Sequence, residues 1–379
     1  LLSYKQNGFI TASDEPESVS KNLEYAYDDW CIAILADSLN NTSLATEFYE
    51  RGQYYKNLFD PSTGFFRAKK SHTWFSPFYA EEVNFNYTEA NAWQYSLFVP
   101  QDITGHIKLF GGKEKYEQHL DNMFAASTET SGREQADITG LIGQYAHGNE
   151  PSHHMAYLYS YIGKPWKTQK IVRQILDEQY TSLPDGLSGN EDCGQMSAWY
   201  VLSAMGFYAV TPGLDYYTIG TPLFDKATLN LENGKTFSVV ANQVSAENIY
   251  IQKATLNGKD LQESYIKHQS IMDGGGLVFT MGNKPSNWGS VNPPASAITK
   301  NEIIPVPFFI AKSQTFNKNM EVKIGSAIEG EIYYTTDGTK PTNNSKKYTE
   351  PIVLTQDTEI KAVSYKQENK SKVVKASYY

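Results

Sequence analysis

The chain of 379 residues is long enough for two or three domains that each bury a core of their own. Its formal net charge of −9, from 42 acidic and 33 basic residues, argues against nucleic acid or an anionic membrane surface as a partner. No run approaches about 18 apolar residues, so no membrane span is predicted. The two cysteines, Cys31 and Cys193, show neither CxxC spacing nor the pattern of a disulfide framework.

Apolar residues recur at helical spacing through the first 213 residues. Either Asp14 or Ser18 is expected to begin the first helix, whose apolar stripe comprises Val19, Leu23, Tyr27, Trp30, Ile34 and Leu35. Further helices are expected at about residues 44–59, 88–98, 103–111, 113–124, 137–144, 151–162 and 165–180, with one more after Asp192. Helix pairs joined by short loops predict part of a toroid.

A long connection, residues 64–85, separates the second and third of these helices. It is rich in aromatic residues, among them Phe65, Phe66, Trp74, Phe75, Phe78 and Phe85. Long structured loops in compact domains are commonly functional. We therefore expect this aromatic loop to line a cleft.

The segment from Gln144 to His154, QYAHGNEPSHH, concentrates amide, carboxyl and imidazole groups around a turn. Its histidines lack the HExxH spacing and no cysteine pair accompanies them, so zinc is weakly supported. The oxygens of Gln144, Asn149 and Glu150 are of the kind that calcium takes as ligands. The segment therefore favours calcium over zinc.

The stretch Gly189 to Phe207, GNEDCGQMSAWYVLSAMGF, joins a turn rich in carboxyl and amide groups to an apolar helix. Glu191 and Asp192 are expected at or near the helix N-terminus. Free backbone N–H groups and the helix dipole keep a carboxylate ionised there, which suits it to act as a base toward water. The alternative is an ordinary acidic helix cap. Trp199 is predicted to belong to the core.

After Gly213 the pattern changes from helical to alternating, with turns at Asn233-Gly234 and Asn257-Gly258. The sequence thus predicts a multidomain α plus β chain. Its expected parts are a partial toroid of helix pairs at 1–213, a small β subdomain packed on it at 214–282, a linker at 283–300 and a C-terminal β-sandwich at 301–379.

Four stretches, in this order, resemble signatures of glycoside hydrolase family 92, the calcium-dependent exo-acting α-mannosidases. They are NLEYAYDDWCIA from Asn22, YTEANAWQYSLFVP from Tyr87, IGQYAHGNEPSHHMAYLYSYIGKPWKTQ from Ile142, and the acidic stretch from Gly189. The C-terminal pattern YYTTDGTKPT…TEIKAVSY resembles the chitobiase-type, fibronectin-III-associated β-sandwich, for which a spacer or packing role is favoured over sugar binding.

The resemblance implies an (α/α)6 barrel with twelve helices, and the sequence predicts fewer than that. The other helices, and an N-terminal β-sandwich, are therefore expected upstream of residue 1, in an N-terminal half of the same enzyme. An incomplete barrel would expose an apolar rim, so association with that half is expected.

The activity that the resemblance implies is calcium-assisted removal of terminal α-linked mannose from glycans with inversion. Inversion requires a protonated carboxyl group and an ionised carboxylate about 6.5–9.5 Å apart, with water between them. Glu89 matches the family's acid and Asp192 its base, with Glu191 as a competitor for the base. Burial against Trp93 and Tyr95 would raise the pKa of Glu89, whereas a place in the first helical turn would lower it, so the assignment requires that burial prevail.

The remaining site predictions concern substrate and metal. Asn190, Glu191, Trp93, Asn91 and His147 are expected to bind substrate, and the calcium ligands are expected among Gln144, Asn149 and Glu150. Further candidates for the pocket wall, for each of which packing or capping is an equal explanation, are Asp28, Asp29, Trp30 and Gln94.

Two other functions stay open. One is a toroid glycosidase that acts on glucosyl or uronyl sugars, and the other is a noncatalytic fragment of a bacterial carbohydrase that serves in carbohydrate binding or assembly. The family and the appended module imply a secreted protein or one of the bacterial periplasm or cell envelope.

Overall fold

The computed structural model describes residues 2–379, which form two compact units. The first unit comprises the chain up to Gly112, Glu129–Glu134 and Ala297–Tyr379. The second comprises Lys113–Thr128 and Gln135–Ser296. Each unit thus combines stretches from more than one of the domains expected from the sequence.

The α-helices are α1 (Leu2–Asn7), α2 (Ser18–Ser38), α3 (Thr42–Arg51), α4 (Ala92–Tyr95), α5 (Ile103–Leu109), α6 (Lys113–Ala125), α7 (Leu158–Tyr161), α8 (Pro165–Glu178), α9 (Gln195–Met205) and α10 (His268–Met272). Short 3-10 helices lie at Tyr54–Asn57, Pro100–Asp102, Glu150–Ser152 and Met155–Tyr157.

The strands before residue 213 are short: β1 (Phe59–Asp60), β2 (Phe65–Phe66), β3 (Lys69–Lys70), β4 (Thr73–Trp74), β5 (Glu82–Val83), β6 (Ser131–Gly132), β7 (Leu141–Ile142), β8 (Tyr145–Ala146) and β9 (Phe207–Tyr208). Those that follow are β10 (Tyr216–Ile219), β11 (Lys226–Asn230), β12 (Thr236–Asn242), β13 (Tyr250–Leu256), β14 (Lys259–Leu261), β15 (Tyr265–Lys267), β16 (Gly275–Gly282), β17 (Phe308–Ile310), β18 (Met320–Gly325), β19 (Glu331–Thr335), β20 (Lys346–Lys347), β21 (Ile352–Leu354), β22 (Thr358–Lys366), β23 (Asn369–Lys370) and β24 (Val374–Tyr378). The α plus β class predicted from the sequence is confirmed.

In the first unit, α2 packs on α3 through a buried apolar face. The buried apolar residues of α2 include Val19, Leu23, Ala26, Trp30 and Ala33. Leu35, which the predicted stripe included, is 60% exposed instead. Asp29 accepts two hydrogen bonds from the Arg51 guanidinium, at 2.6 and 3.0 Å, and one from the Tyr4 hydroxyl at 2.9 Å. This buried ion pair joins α1, α2 and α3, so Asp29 has a structural role.

The C-terminal strands share a sheet with the aromatic loop. The order of this five-stranded sheet is β21-β18-β17-β4-β3, and β17 runs parallel to β4 with Phe309 opposite Thr73. The Phe309 N–H donates to the His72 carbonyl at 3.0 Å, and the rings of Trp74 and Phe308 lie 4.9 Å apart. The loop and the C-terminal residues are therefore one packed structure.

The segment that leads into β17 is fastened to the N-terminal helices. The Ile298 N–H donates to Asp102 at 3.1 Å, and the Val306 N–H donates to Asn57 Oδ1 at 2.9 Å. Between them, the Gln53 side chain donates to the Asn301 carbonyl at 2.8 Å. The remaining C-terminal strands form a second sheet of order β20-β19-β22-β23, with β24 on β22.

In the second unit, a five-stranded sheet of order β11-β12-β16-β13-β14 carries an apolar core. The core includes Phe237, Val239, Ile251, Leu277 and Phe279, all at most 2% exposed. Strands β12 and β16 are parallel to each other, and the other neighbouring strands of this sheet are antiparallel. This sheet accounts for the alternating pattern after residue 213.

Four predicted helices differ in the structure. The one expected at 44–59 ends at Arg51 and is followed by a 3-10 helix at Tyr54–Asn57. Residues 137–144 contain β7 and the turn before β8 instead of a helix, because Gly140 and Gly143 both have φ of 62°, a left-handed conformation. The helix expected at 88–98 is only Ala92–Tyr95, and the one expected at 151–162 consists of two 3-10 turns before α7. No helix in residues 2–379 combines the length and the apolar character that crossing a bilayer requires.

Candidate active site

The acidic turn before α9 has an unusual backbone. Asp192, Cys193 and Gly194 have φ values of 40°, 57° and 83°, so three consecutive residues are left-handed before α9 begins at Gln195. Asn190 and Asp192 are exposed. Non-glycine residues held in this region cost free energy, and such residues cluster at functional sites. The backbone therefore singles out Asp192 as a functional candidate.

Glu191 is engaged with the helix that follows it. Its carboxylate accepts hydrogen bonds from the Ser197 backbone N–H at 3.0 Å and from the Ser197 hydroxyl at 2.7 Å. These two bonds hold the pKa of Glu191 below its ordinary value. Glu191 therefore stabilises the first turn of α9, which is the capping role that the sequence left open for one of the two carboxylates.

Asn190 is tied to another loop of the same unit. Its side-chain amide donates to Asp137 Oδ1 at 3.3 Å. The turn also approaches the 144–154 segment closely, because a side chain at Gly189 would overlap the Gly148 carbonyl oxygen. The structure thus brings together the two polar stretches that the sequence singled out in this unit.

His147 lies at the centre of a buried aromatic cluster and is fully inaccessible. Its Nδ1 lies 2.8 Å from the Tyr145 hydroxyl, and its Nε2 lies 2.6 Å from the Tyr180 hydroxyl. The Tyr180 hydroxyl donates to the Met196 carbonyl at 3.2 Å, so all these partners are satisfied when the neutral ring carries its proton on Nε2. Burial lowers the pKa of His147 well below its ordinary value. This placement does not favour the predicted contact of His147 with substrate.

His153 couples the same segment to α9. Its Nε2 donates to the His147 carbonyl at 3.0 Å, and its Nδ1 accepts from the Gln195 amide at 3.3 Å. Burial lowers the pKa of His153 to about 4. The Trp199 indole N–H donates to the His153 carbonyl at 2.9 Å, and Trp199 is fully buried, which confirms its predicted place in the core.

The predicted calcium ligands are oxygen donors with defined surroundings. Gln144 is buried, and its amide nitrogen donates to the Ser127 carbonyl at 2.7 Å, which fixes the plane of the amide. Asn149 and Glu150 are half-buried, and the Asn149 side chain does not cap the 3-10 helix that starts at Glu150. Within residues 2–379 no three His, Cys, Asp or Glu side chains cluster tightly enough to hold a metal ion. The donor set, two amides and one carboxylate, fits calcium by its chemistry.

Glu89 belongs to the first unit and lies in a bend two residues before the cap of α4. Its φ is 50°, and its side chain is exposed, so the burial predicted for it is not present in this unit. The bend is held by its neighbours, since the Thr88 N–H donates to Ser20 Oγ at 2.9 Å and the Tyr87 hydroxyl donates to the Phe66 carbonyl at 2.7 Å.

Asn91 starts α4 by a reciprocal cap and is fully buried. Its side-chain oxygen accepts from the backbone N–H groups of Trp93 and Gln94, and Gln94 Oε1 accepts from the Asn91 N–H at 2.7 Å. Asn91 and Gln94 thus build the helix start, and a direct contact with substrate is not favoured for Asn91. Trp93 is half-buried, with its ring edge-to-face on Phe65 at 4.7 Å.

Glu24, which was not predicted from the sequence as a site residue, lies on α2 and accepts a hydrogen bond from the Tyr95 hydroxyl at 2.7 Å. Burial raises the pKa of Glu24 against the opposing effect of that hydrogen bond, and the charges of Asp28 and Glu17 add to the increase. A carboxyl group that has a raised pKa and contacts α4 is a functional candidate. Its only signal in the sequence is a glutamate inside the stretch that begins at Asn22.

Comparison with known proteins covers most of the chain. The model of the glycosyl hydrolase family 92 catalytic domain matches residues 1–283, and that of the Fn3-associated domain matches residues 322–378. An uncharacterised secreted glycosidase of Arthroderma benhamiae is 29% identical over a 325-residue alignment that covers 76% of this chain and 40% of that protein.

Two solved structures from Bacteroides thetaiotaomicron are also similar. A family 92 α-mannosidase in complex with mannoimidazole has a TM-score of 0.74 and 39% identity over 79% of this chain and 42% of that one. A family 92 inverting mannosidase has a TM-score of 0.71 and 40% identity over 78% of this chain and 42% of that one. The chain therefore spans about two fifths of the length of these relatives.

Proposed function

Because the chain belongs to glycosyl hydrolase family 92, we propose that it is the C-terminal part of a glycosidase that removes terminal α-linked mannose from glycans with inversion. The likeness to an inverting mannosidase, at 40% identity over 78% of this chain, carries the proposal. The matched region is only about two fifths of each relative's length, so we propose that an N-terminal half of the same enzyme is the partner of this chain.

Asp192 is the proposed base. Its competitor, Glu191, has both carboxylate oxygens bonded to Ser197, whereas Asp192 is exposed on a left-handed turn. An ionised, exposed carboxylate beside a helix start is suited to accept a proton from water as the water attacks the sugar. Asn190, next to it, is proposed to orient water or substrate.

Glu89 is the proposed acid, which gives its proton to the leaving-group oxygen. Its left-handed φ supports a positioned side chain, as do the hydrogen bonds of Tyr87 and Thr88 before it and the helix cap at Asn91 after it. An acid of this kind needs a raised pKa, which burial would provide, whereas Glu89 is exposed here. We therefore propose that the N-terminal half of the enzyme completes the site around Glu89.

Gln144, Asn149 and Glu150 would hold a calcium ion, which when bound supplies a template and Lewis-acid charge for the O2 and O3 hydroxyls of the terminal mannose. The chain's own part is to keep these oxygens in place. The Ser127 carbonyl fixes Gln144, and the tyrosines around His147 hold the segment rigid.

For substrate contact we retain Trp93, whose half-buried ring leaves part of its surface for a sugar. Three of the predicted substrate-binding residues are proposed to position other residues without touching the substrate. Glu191 holds the turn that carries Asp192, and Asn91 holds the helix that carries Trp93. His147 holds the segment that carries Asn149.

The finer architecture is also a proposal: a partial (α/α)6 toroid at 1–213, a β subdomain at 214–282, a linker at 283–300 and a β-sandwich at 301–379. The packing of α2 on α3 and of α7 on α8 supports paired helices. The relative described as secreted supports a secreted protein, and the bacterial periplasm or cell envelope is the other proposed location.

Turnover of an aryl α-mannoside and of mannobioses by the full-length enzyme tests the function, with and without EDTA and for Glu89→Gln and Asn149→Ala. We expect Glu89→Gln to lower kcat by at least about a hundredfold with the aryl substrate affected less than the disaccharides, since its leaving group needs less protonation. Calorimetric titration with Ca²⁺ provides a readout apart from activity, and Asn149→Ala should weaken binding. Hydrolysis of α-glucosides or uronides in place of α-mannosides would contradict the proposal.

A further inference from the structure

An open groove of about 480 Å³ lies in the first unit between the segment before α2 and the end of the aromatic loop. Asp14 and Glu15 line one side, and Phe75, Glu82, Asn84 and Phe85 line the other. Phe75 is 43% exposed and Phe85 is 68% exposed. Large exposed rings on a folded surface indicate a contact site for another molecule.

The two rings are held on a fixed backbone. The Arg67 guanidinium donates to the Phe75 carbonyl at 2.8 Å, and the Phe75 N–H donates to the Ala68 carbonyl at the same distance. The Glu17 N–H donates to the Phe85 carbonyl at 2.6 Å, and the Arg133 guanidinium lies 4.7 Å from the centre of the Phe85 ring. Exposed side chains on a backbone fixed in this way form a platform that needs little ordering when a ligand binds.

Acceptor groups surround the rings. Asp14 accepts from the Thr11 hydroxyl at 2.8 Å, and Glu82 accepts from the Asn84 amide at 3.1 Å, so both carboxylates have set directions. A pyranose has an apolar face of C–H groups and an edge of hydroxyls. Aromatic faces with a few placed polar groups match both of these surfaces.

The chain that lines the groove leads into the bend that carries Glu89. The Val19 N–H donates to the Asn86 carbonyl at 3.1 Å, and Thr88 is bonded to Ser20, so the chain from Phe85 to Glu89 follows the start of α2. Four residues span at most about 14 Å, a distance that a short oligosaccharide bridges. Because the proposed enzyme removes the terminal mannose, any further sugars near Glu89 lie on the leaving-group side of the cleaved bond.

We propose that this groove is a subsite that stacks a sugar of the leaving group on Phe75 and Phe85. The inference rests on the proposed function, because it takes Glu89 as the acid. Such a subsite would make the enzyme prefer glycans that have further sugars beyond the terminal mannose. An aryl mannoside has no such sugars.

The test compares kcat/KM of the full-length enzyme on a linear α-mannotriose and on 4-nitrophenyl α-mannoside. Phe85→Ala should lower kcat/KM on the mannotriose about tenfold, a ratio that corresponds to about 1.4 kcal/mol, and change it less than about twofold on the aryl substrate. Tyr79→Ala is the matched control, since Tyr79 is 56% exposed in the same loop but does not line the groove. It should leave both values unchanged.

Thermal unfolding shows whether Phe85→Ala is folded. If it is not, Phe75→Leu and Asp14→Asn, which are more conservative substitutions in the same groove, take its place in the test. Equal losses on both substrates would overturn the proposal and assign the groove to contact with the rest of the enzyme. Unchanged values on both would overturn it as well. A wild-type enzyme without activity on either mannoside would refute the proposed function, whereas an active enzyme with an unchanged substrate ratio would refute the subsite alone.

Discussion

Glu191 and Ser197 form a two-point contact in which the backbone N–H and the hydroxyl of the serine both donate to the carboxylate, at 3.0 and 2.7 Å. The contact separates the two acidic neighbours in the turn, because it uses Glu191 for the helix and leaves Asp192 on the left-handed backbone before it. Two substitutions follow from this difference.

Asp192→Asn in the full-length enzyme should lower kcat by at least about a hundredfold, because an amide does not accept the proton of the attacking water. Asparagine tolerates a left-handed φ, so the fold should be kept. Glu191→Gln should keep most of the activity and lower the melting temperature instead, since it weakens the cap of α9. Steady-state kinetics and thermal unfolding of both variants check this, and the opposite pattern would assign the base to Glu191.

Gly189→Ala should destabilise the protein by about 1–3 kcal/mol, because the added methyl group would overlap the Gly148 carbonyl and push the turn from the 144–154 segment. Gly194→Ala is the control for backbone conformation alone, since Gly194 has a φ of 83° but no atom within 4 Å of the new methyl group. Denaturant unfolding measures both. A smaller cost for Gly189→Ala than for Gly194→Ala would show that the close approach is absent.

His153 should make stability depend on pH below neutrality. Its pKa is about 4 in the fold against about 6.5 in the unfolded chain, so the unfolded state binds the proton first as the pH falls. The stability present above pH ~6.5 should be lost progressively down to about pH 4, by up to about 3 kcal/mol. Protonation of Nδ1 would point an N–H group at the Gln195 amide, which already donates there.

Chemical unfolding of the wild type and of His153→Gln between pH 8 and pH 4 measures this effect. The variant should show a shallower decline, and not a flat one, because the pKa of His147 is lowered as well. His268→Gln, at an exposed histidine, should reproduce the wild-type curve. If the stability of the wild type and of His153→Gln declined in parallel with pH, His153 would not be a cause of the pH dependence.

Phe309→Ala should destabilise the first unit by about 3–5 kcal/mol, because Phe309 is fully buried on the strand that pairs with β4. Ile310→Ala, one residue along the same strand and 49% exposed, should cost about 0.5 kcal/mol or less. Hydrogen exchange would locate the loss, which we expect at residues 69–75 as well as in the C-terminal strands. Loss confined to the C-terminal strands would mean that the aromatic loop folds independently of them.

Features that depend on residues close together in the sequence were predicted correctly. The helix start at Gln195, the core position of Trp199 and the polar 144–154 segment all follow from turn residues and helical spacing. The roles of Glu191 and Asn91 did not, because a polar side chain at a helix start has the same pattern whether it caps the helix or meets a ligand. The prediction of a helix at 137–144 was wrong for a similar reason, because the sequence does not show that the two glycines in the helical pattern both adopt a left-handed conformation.

Pairing between distant strands leaves no local pattern at all. The sequence separated the aromatic loop from the C-terminal strands by a linker, whereas β4 and β17 are hydrogen-bonded neighbours. The burial of Glu89 was also expected from the rings near it in sequence, but Trp93 packs on Phe65 and the glutamate remains exposed in its unit.

The parallel pairing of Thr73 with Phe309 affects how this protein should be divided for expression. A fragment that stops at residue 300 would lose β17 and leave β4 as an open sheet edge, with unpaired amide and carbonyl groups next to exposed Phe75. Open edges of this kind template association with other chains, so such a fragment should aggregate although its helices are intact.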